Sequence, residues 1–79
     1  MEYNPRLKAL IFQAVDNQLN ENDPPYVRET FDRLLAGGKG KQKAKEAIAA
    51  VLIGEIYEVM KNKMPFNDER YHSELDKLK

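Results

Sequence analysis

The stretch from Gln42 to Asn62, QKAKEAIAAVLIGEIYEVMKN, decides the fold of this chain. It contains no proline, and its apolar residues recur at steps of three and four, which is the period of an α-helix. One side of that helix carries Ala44, Ala47, Ile48, Val51, Leu52 and Val59, and the other carries Ala49, Ala50, Ile53, Ile56 and Met60. A helix that is apolar nearly all round is predicted to be surrounded, either as a central helix or as a dimer interface.

Two shorter helices are predicted before this stretch. Asn4 and Pro5 suit the N-cap and the first position of one helix. Asp23 stands before two prolines and is predicted to cap the next helix. Gly37 is predicted to end that second helix in the left-handed conformation, which glycine adopts without steric cost.

A fourth helix is predicted after Pro65, which stops the third. Asn67 is its expected cap, and Phe66 before the cap is expected to pack on Tyr71 as a hydrophobic staple. No segment alternates with the period of a strand. The sequence therefore predicts one all-α, compact four-helix domain with a long central third helix, with helices over residues 5–20, 24–36, 42–62 and 67–78.

Composition narrows the classes of function. The 79 residues suffice for one domain, which buries about 60% of the unfolded surface. Thirteen basic and thirteen acidic side chains balance, so no overall field favours nucleic acid as a partner. The chain has no cysteine, which excludes disulfides and thiolate metal sites. No apolar run approaches the about 18 residues of a membrane span, and the sequence predicts a cytoplasmic protein with no membrane partner.

Two polar residues are predicted to face the core. Gln18 shares a side of the first helix with Leu7 and Ile11, and Glu55 shares a side of the third with Ile48. A buried carboxylate has to be paired, protonated or at a wet edge, and the Gln18 amide is a suitable partner. We interpret the two as a structural hydrogen bond that sets how these helices pack. The alternative hypothesis makes Glu55 a functional carboxylate.

The sequence contains no complete motif of a known catalytic site. Glu69 and His72 match the E-x-x-H spacing of di-iron bundles, but that site needs two such motifs, and His72 is the only histidine. Ser73 is the only serine and lies in no G-x-S-x-G motif. We therefore predict no catalytic residue and no cofactor, and the balance is against an enzyme. A metal site, if there is one, would use the carboxylates of Asp16, Glu46 and Glu55.

Lysines alternate with other residues in AGGKGKQKAK, residues 36–45. The segment lacks the G-x-x-x-x-G-K-[ST] spacing of a phosphate-binding loop. No aromatic residue interleaves the lysines, as single-stranded nucleic acid would require. The pattern favours a solvated joint between two helices, and the alternative is a weak anion contact through Lys39, Lys41 and Lys43.

Four segments carry a resemblance to a family: NPRLKALIFQAVDNQL (4–19), NDPPYVRETFDRLL (22–35), KEAIAAVLIGEIYEV (45–59) and PFNDERY (65–71). Together they resemble a family of small bacterial and archaeal helical domains of unknown function, which implies an all-helical fold and no reaction. Gln18 and Glu55 match its pattern. Some relatives carry histidines, which suggest metal binding, where this chain has Lys8, Phe12 and Glu46.

Two functional classes follow from these patterns. The first is a non-enzymatic interaction module, a homodimer or an accessory to another protein, whose interface includes Ile53, Ile56 and Met60. The second is a small helical protein that binds a metal or another ligand through Gln18, Glu55, Asp16 and Glu46. A binder should show several convergent ligands, and this chain shows few, so the sequence favours the interaction module.

Overall fold

The computed structural model describes residues 5–79, which form four helices and no strand. In chain order the helices are α1 (Pro5–Glu21), α2 (Pro25–Ala36), α3 (Lys41–Asn62) and α4 (Asp68–Asp76). The predicted all-α, four-helix fold is confirmed, and α3 is the longest helix, with 22 residues. None of the helices in residues 5–79 has the length and hydropathy of a membrane span. The predicted cap at Asn4 lies outside the described residues.

The helix α3 is central, since α1, α2 and α4 each pack against it. Its core side buries Ala44, Ile48, Ala49, Leu52 and Glu55. Around that side the other helices bury Ile11, Val15, Leu19, Val27, Phe31, Leu34, Tyr71 and Leu75. The radius of gyration is 12.3 Å, close to the about 12 Å expected of a compact domain of this length. Of the second apolar side predicted for α3, Ala49 is buried in the core and Ile53 and Ile56 pack against it, whereas Ala50 and Met60 are exposed.

The start of α2 differs from the prediction. Its N-cap is Pro24, which makes no side-chain cap hydrogen bond. Asp23 is not the cap, because α2 begins one residue later, with Pro24 at the cap, and Pro25 has no N–H that a carboxylate at position 23 could bind. The Asp23 backbone N–H instead donates to the Gln18 carbonyl at 3.1 Å, which holds the connection against the end of α1.

The helix α2 ends at Ala36, as predicted, but the left-handed residue that follows it lies one position later than predicted. Gly37 is the C-cap with φ −79°, so its predicted left-handed conformation is wrong, and Gly38, with φ 97°, takes that role. The N–H of Lys39 donates to the Leu34 carbonyl, and that of Gly38 to the Leu35 carbonyl, each at 3.0 Å. This pair of bonds is a Schellman motif, which requires its positive φ at the residue after the C-cap.

The start of α4 confirms its predicted signals. The Asn67 side chain accepts a hydrogen bond from the Arg70 backbone N–H at 3.0 Å. The rings of Phe66 and Tyr71 meet edge to face with centroids 5.7 Å apart, which is the expected hydrophobic staple. These contacts set the direction in which α4 leaves the connection, and so they place Arg70 and Tyr71 against the rest of the bundle.

Candidate functional site

The first candidate residue, Glu55, is buried and paired. It lies on the core side of α3 and is 5% exposed. Its Oε2 accepts a hydrogen bond from Arg70 Nε of α4 at 2.5 Å. The half-buried guanidinium therefore balances the carboxylate charge and offsets part of the cost of removing that charge from water. Of the three states predicted for Glu55, the structure shows the paired one.

The second candidate, Gln18, has a different partner from the one predicted. Its Oε1 accepts a hydrogen bond from the hydroxyl of Tyr71, at 3.0 Å. Tyr71 is 1% exposed, and burial, with a smaller effect of the neighbouring Tyr26, raises the pKa of its phenol. The predicted hydrogen bond between Gln18 and Glu55 is therefore wrong. Two successive residues of α4 are the partners: Arg70 binds Glu55, and Tyr71 binds Gln18.

Sequence reasoning missed Arg70 as the partner of Glu55. Arg70 follows the Asn67 cap by three residues, so the sequence indicated that its backbone N–H would bind the cap. Nothing in the sequence indicated that its side chain would pair with Glu55. It stands in the sequence among exposed charges at the start of a short helix, where an arginine is usually solvated. Only the packing of α4 against α3 brings the guanidinium to the carboxylate. These two neighbouring pairs form what we call the polar clasp: Gln18, Glu55, Arg70 and Tyr71.

The stability of the fold should fall as the pH rises above about 10. Burial raises the pKa of Tyr71 above its ordinary 10.0, and burial followed by the Asp68 charge raises the pKa of Tyr26. Above pH 10 the folded state then binds more protons than the unfolded chain, so the free energy of unfolding declines. Urea unfolding at about pH 8 and at about pH 11 measures the decline, because these two pH values lie on either side of the ordinary tyrosine pKa of about 10. The variant Tyr71→Phe should reduce it, and an unreduced decline would contradict the assignment to Tyr71.

The predicted metal carboxylates are held apart. Asp16 Oδ1 lies 2.8 Å from Lys45 Nζ, and Glu46 lies 3.9 Å from Lys43 Nζ. Together with Glu55 they form no group that could hold a metal, and residues 5–79 contain no other group of three or more ligating side chains. The E-x-x-H histidine is also engaged elsewhere, since the His72 ring stacks on Tyr26 with centroids 4.4 Å apart.

The three candidate anion-binding lysines do not share one surface. Lys41 and Lys43 are exposed in the first turn of α3, about 200° apart around the helix. Lys39 is half-buried and lines a groove of about 480 Å³ with Arg33 and Lys79. The Arg33 guanidinium in that groove already donates to the carbonyls at the end of α4, with Nη2 2.9 Å from the Leu75 oxygen.

An apolar groove runs between α1 and α3. It encloses about 390 Å³ and is lined by Lys8, Phe12, Glu46, Ala49, Ala50 and Ile53. Two of the interface candidates, Ile53 and Ile56, are half-buried, while Met60 is 67% exposed. Met60 lies on the same side of α3 as Ile53, two turns further on. Lys8, Phe12 and Glu46 all line this groove.

We call this surface the α1–α3 face: Lys8, Phe12, Glu46, Ala49, Ala50, Ile53 and Met60. Comparisons with protein-family models, with curated proteins and with solved structures gave no match. The geometry of the described residues therefore has to carry the functional conclusion. It offers two features: the polar clasp, whose charges are paired internally, and the α1–α3 face, whose apolar side chains are partly uncovered.

Proposed function

We propose that this protein is a non-enzymatic interaction module that self-associates through the α1–α3 face. The observation that carries the proposal is the second apolar side of α3. Ile53 and Ile56 are only partly buried there and Met60 is 67% exposed, although α3 is the central helix of the core. Apolar side chains grouped on one side of a helix, next to a groove, are typical of protein interfaces.

The energetics of a small domain support the same proposal. With 79 residues the core is close to the smallest that folds alone, and association adds burial that the single chain lacks. A stable dimer buries about 800 Å² on each partner. That is about one-seventh of the 5573 Å² of accessible surface of this chain. Ile53 lines the groove and Met60 lies two turns further along the same side of α3, so both can take part in one contact.

An accessory role in a larger assembly is the other form of this proposal, with a different protein on the same face. The proposed location is the cytoplasm, in keeping with the absence of cysteine. The ligand-binding alternative draws little support from the contacts, because Asp16 pairs with Lys45 and Glu55 with Arg70. Metal ligands have to be free to coordinate, and these carboxylates are engaged by cations.

Light scattering on a sizing column tests self-association. The wild-type protein should elute with a mass of about 18 kDa, twice the 9.2 kDa of one chain. The variant Ala50→Glu should be monomeric at the same concentration, with its dissociation constant raised at least about 100-fold, because it buries a carboxylate against an apolar surface. Ala50 is exposed, so the substitution leaves the core intact.

The matched control is Leu10→Glu. Leu10 is also an exposed apolar residue, at 56%, but it lies about 200° around α1 from Phe12 and so faces away from the groove. This variant should remain dimeric. Even a weak specific dimer should form at about millimolar protein concentration. A wild-type protein that is still monomeric there would rule the proposal out. Equal dissociation of both variants would show that the contact lies elsewhere.

A further inference from the structure

We propose that the groove between the end of α2 and the residues after α4 binds a small anion that carries two or more phosphate groups. The groove encloses about 480 Å³ and is lined by Arg33, Leu34, Gly37, Gly38, Lys39 and Lys79. We call it the basic groove, because every charged side chain that lines it is a cation. It shares no lining residue with the α1–α3 face, so the proposal does not depend on self-association.

The Arg33 guanidinium is held in place in the basic groove and keeps its positive charge. Its Nη2 donates to the Leu75 carbonyl at 2.9 Å, and its Nη1 donates to the Leu78 carbonyl. Both acceptors are neutral backbone oxygens, so these bonds fix the side chain and do not neutralise it. A guanidinium has about five N–H donors, and the remaining ones can bind a ligand. A cation that is already ordered loses little conformational entropy when it binds.

The two lysines of the basic groove have no acidic partner. Within residues 5–79, neither Lys39 nor Lys79 makes an ion pair or a hydrogen bond through its side chain. Lys39 is also half-buried, and lysine is usually exposed unless it is paired. Carboxylates elsewhere in the bundle pair with Arg28, Lys43, Lys45, Arg70 and Lys77. The basic groove therefore concentrates unbalanced positive charge on a chain whose net charge is zero.

The shape of the basic groove leaves room for a ligand beside these cations. Gly37 and Gly38 have no side chains, and a Cβ at Gly38 would meet no other atom within 4 Å. Leu34 also lines the groove, is 2% exposed and belongs to the apolar core. A concave surface with an apolar wall focuses the field of its charges, which then attract an anion more strongly than they would in open water.

Charge and size indicate the class of ligand. Three cations exceed what one carboxylate balances, and arginine and lysine are the side chains that commonly bind phosphate oxygens. A volume of about 480 Å³ lies within the range of small-molecule sites and exceeds the needs of one phosphate ion. No aromatic side chain lines the groove, so nothing there stacks on a nucleobase. These features favour an oligophosphate that is recognised through its phosphate oxygens.

Titration with pyrophosphate, followed by two-dimensional NMR of ¹⁵N-labelled protein, tests the proposal. At an ionic strength of about 10 mM, where charges are weakly screened, the amide signals of Gly38 and Lys39 should shift and reach saturation. The dissociation constant should be below about 1 mM. The variant Lys39→Gln should raise it at least about tenfold, because the substitution removes a charge-assisted hydrogen bond.

The matched control is Lys61→Gln. It also removes one lysine charge, but Lys61 lies in the last turn of α3, about 30 Å along the helix from Lys41. The dissociation constant of this variant should equal that of the wild type. An equal loss of affinity in both variants would show a diffuse attraction to lysines and no site in the basic groove. Circular dichroism checks that both variants keep the fold.

The remaining outcomes each overturn the proposal or its ligand class. Amide shifts that grow without saturation would show that the basic groove binds no pyrophosphate. If inorganic phosphate binds as tightly as pyrophosphate, the groove takes a single phosphate group, and the assignment to an oligophosphate is wrong. If single-stranded DNA of about ten nucleotides shifts the same amides at a lower concentration than pyrophosphate, the ligand is a nucleic acid.

Discussion

Replacing Arg70 with methionine should lower the free energy of unfolding by about 2–4 kcal/mol, because the substitution leaves the Glu55 carboxylate buried without its partner. Glu55 is 5% exposed and Arg70 Nε lies 2.5 Å from its Oε2, so no other cation in the polar clasp takes over. This loss of stability is smaller than the loss usual for a fully buried ion pair, because the Arg70 side chain is 30% exposed and water reaches it. Urea unfolding followed by circular dichroism at pH 7 measures the decrease.

The reverse substitution supplies the control. Glu55→Leu removes the buried charge, and the half-buried Arg70 can then turn to solvent, so stability should be unchanged or higher. The double variant Glu55→Leu/Arg70→Met should recover most of the stability that Arg70→Met removes. If the double variant is as unstable as Arg70→Met alone, the arginine contributes through packing rather than through the charge of Glu55. A dimer that weakens in Glu55→Leu would give Glu55 a functional role.

Replacing Tyr71 with alanine should destabilise the fold by about 3–5 kcal/mol, the range for truncating a buried aromatic side chain. Tyr71 is 1% exposed, and its ring meets the rings of Phe66 and Tyr26 edge to face, each with centroids 5.7 Å apart. Truncation opens a cavity among these rings and removes the staple that sets the direction of α4. The expected result is a large drop in the urea midpoint, with α4 unfolding and the Arg70–Glu55 ion pair breaking in the same step.

The variant Tyr71→Phe separates the ring from the hydroxyl. It keeps the packing and removes only the hydrogen bond to Gln18, so it should cost about 1 kcal/mol. Gln18 is half-buried, which lets water satisfy its amide oxygen in the variant. If Tyr71→Phe costs as much as Tyr71→Ala, the hydroxyl bond, and not the ring, holds α4 to α1. The two variants therefore assign the energy of the polar clasp to packing or to hydrogen bonding.

The parts of the fold that could be predicted from the sequence are those set by residues close together in the chain. The apolar period of α3, the prolines between helices and the Asn67 cap act within a few residues of chain, and the structure confirms each of them. The two local errors also have local causes. Asp23 is not a cap because α2 begins one residue later, with Pro24 at the cap and no N–H on Pro25. Gly38 rather than Gly37 takes positive φ because the Schellman bonds require it there.

The candidate site was predictable only in part. Periodicity pointed to Glu55 and Gln18 as polar residues on core-facing sides, and Glu55 is indeed buried. It could not supply their partners, because the hydrogen bonds span 15 residues for Glu55 and Arg70 and 53 for Gln18 and Tyr71. A helical period gives the direction of a side chain around its own helix, and it carries no information on which helix lies opposite.

The sequence by itself determined that this protein is a bundle of four helices with α3 at its centre, since helix periods, caps and prolines act over a few residues. Only the tertiary structure decided that α4 supplies partners to both Glu55 and Gln18, and that α1 leaves the second apolar side of α3 partly open. The physical reason is that pairing and exposure depend on how whole helices dock. Docking also brought Lys8 and Glu46, 38 residues apart in sequence, into the lining of one groove.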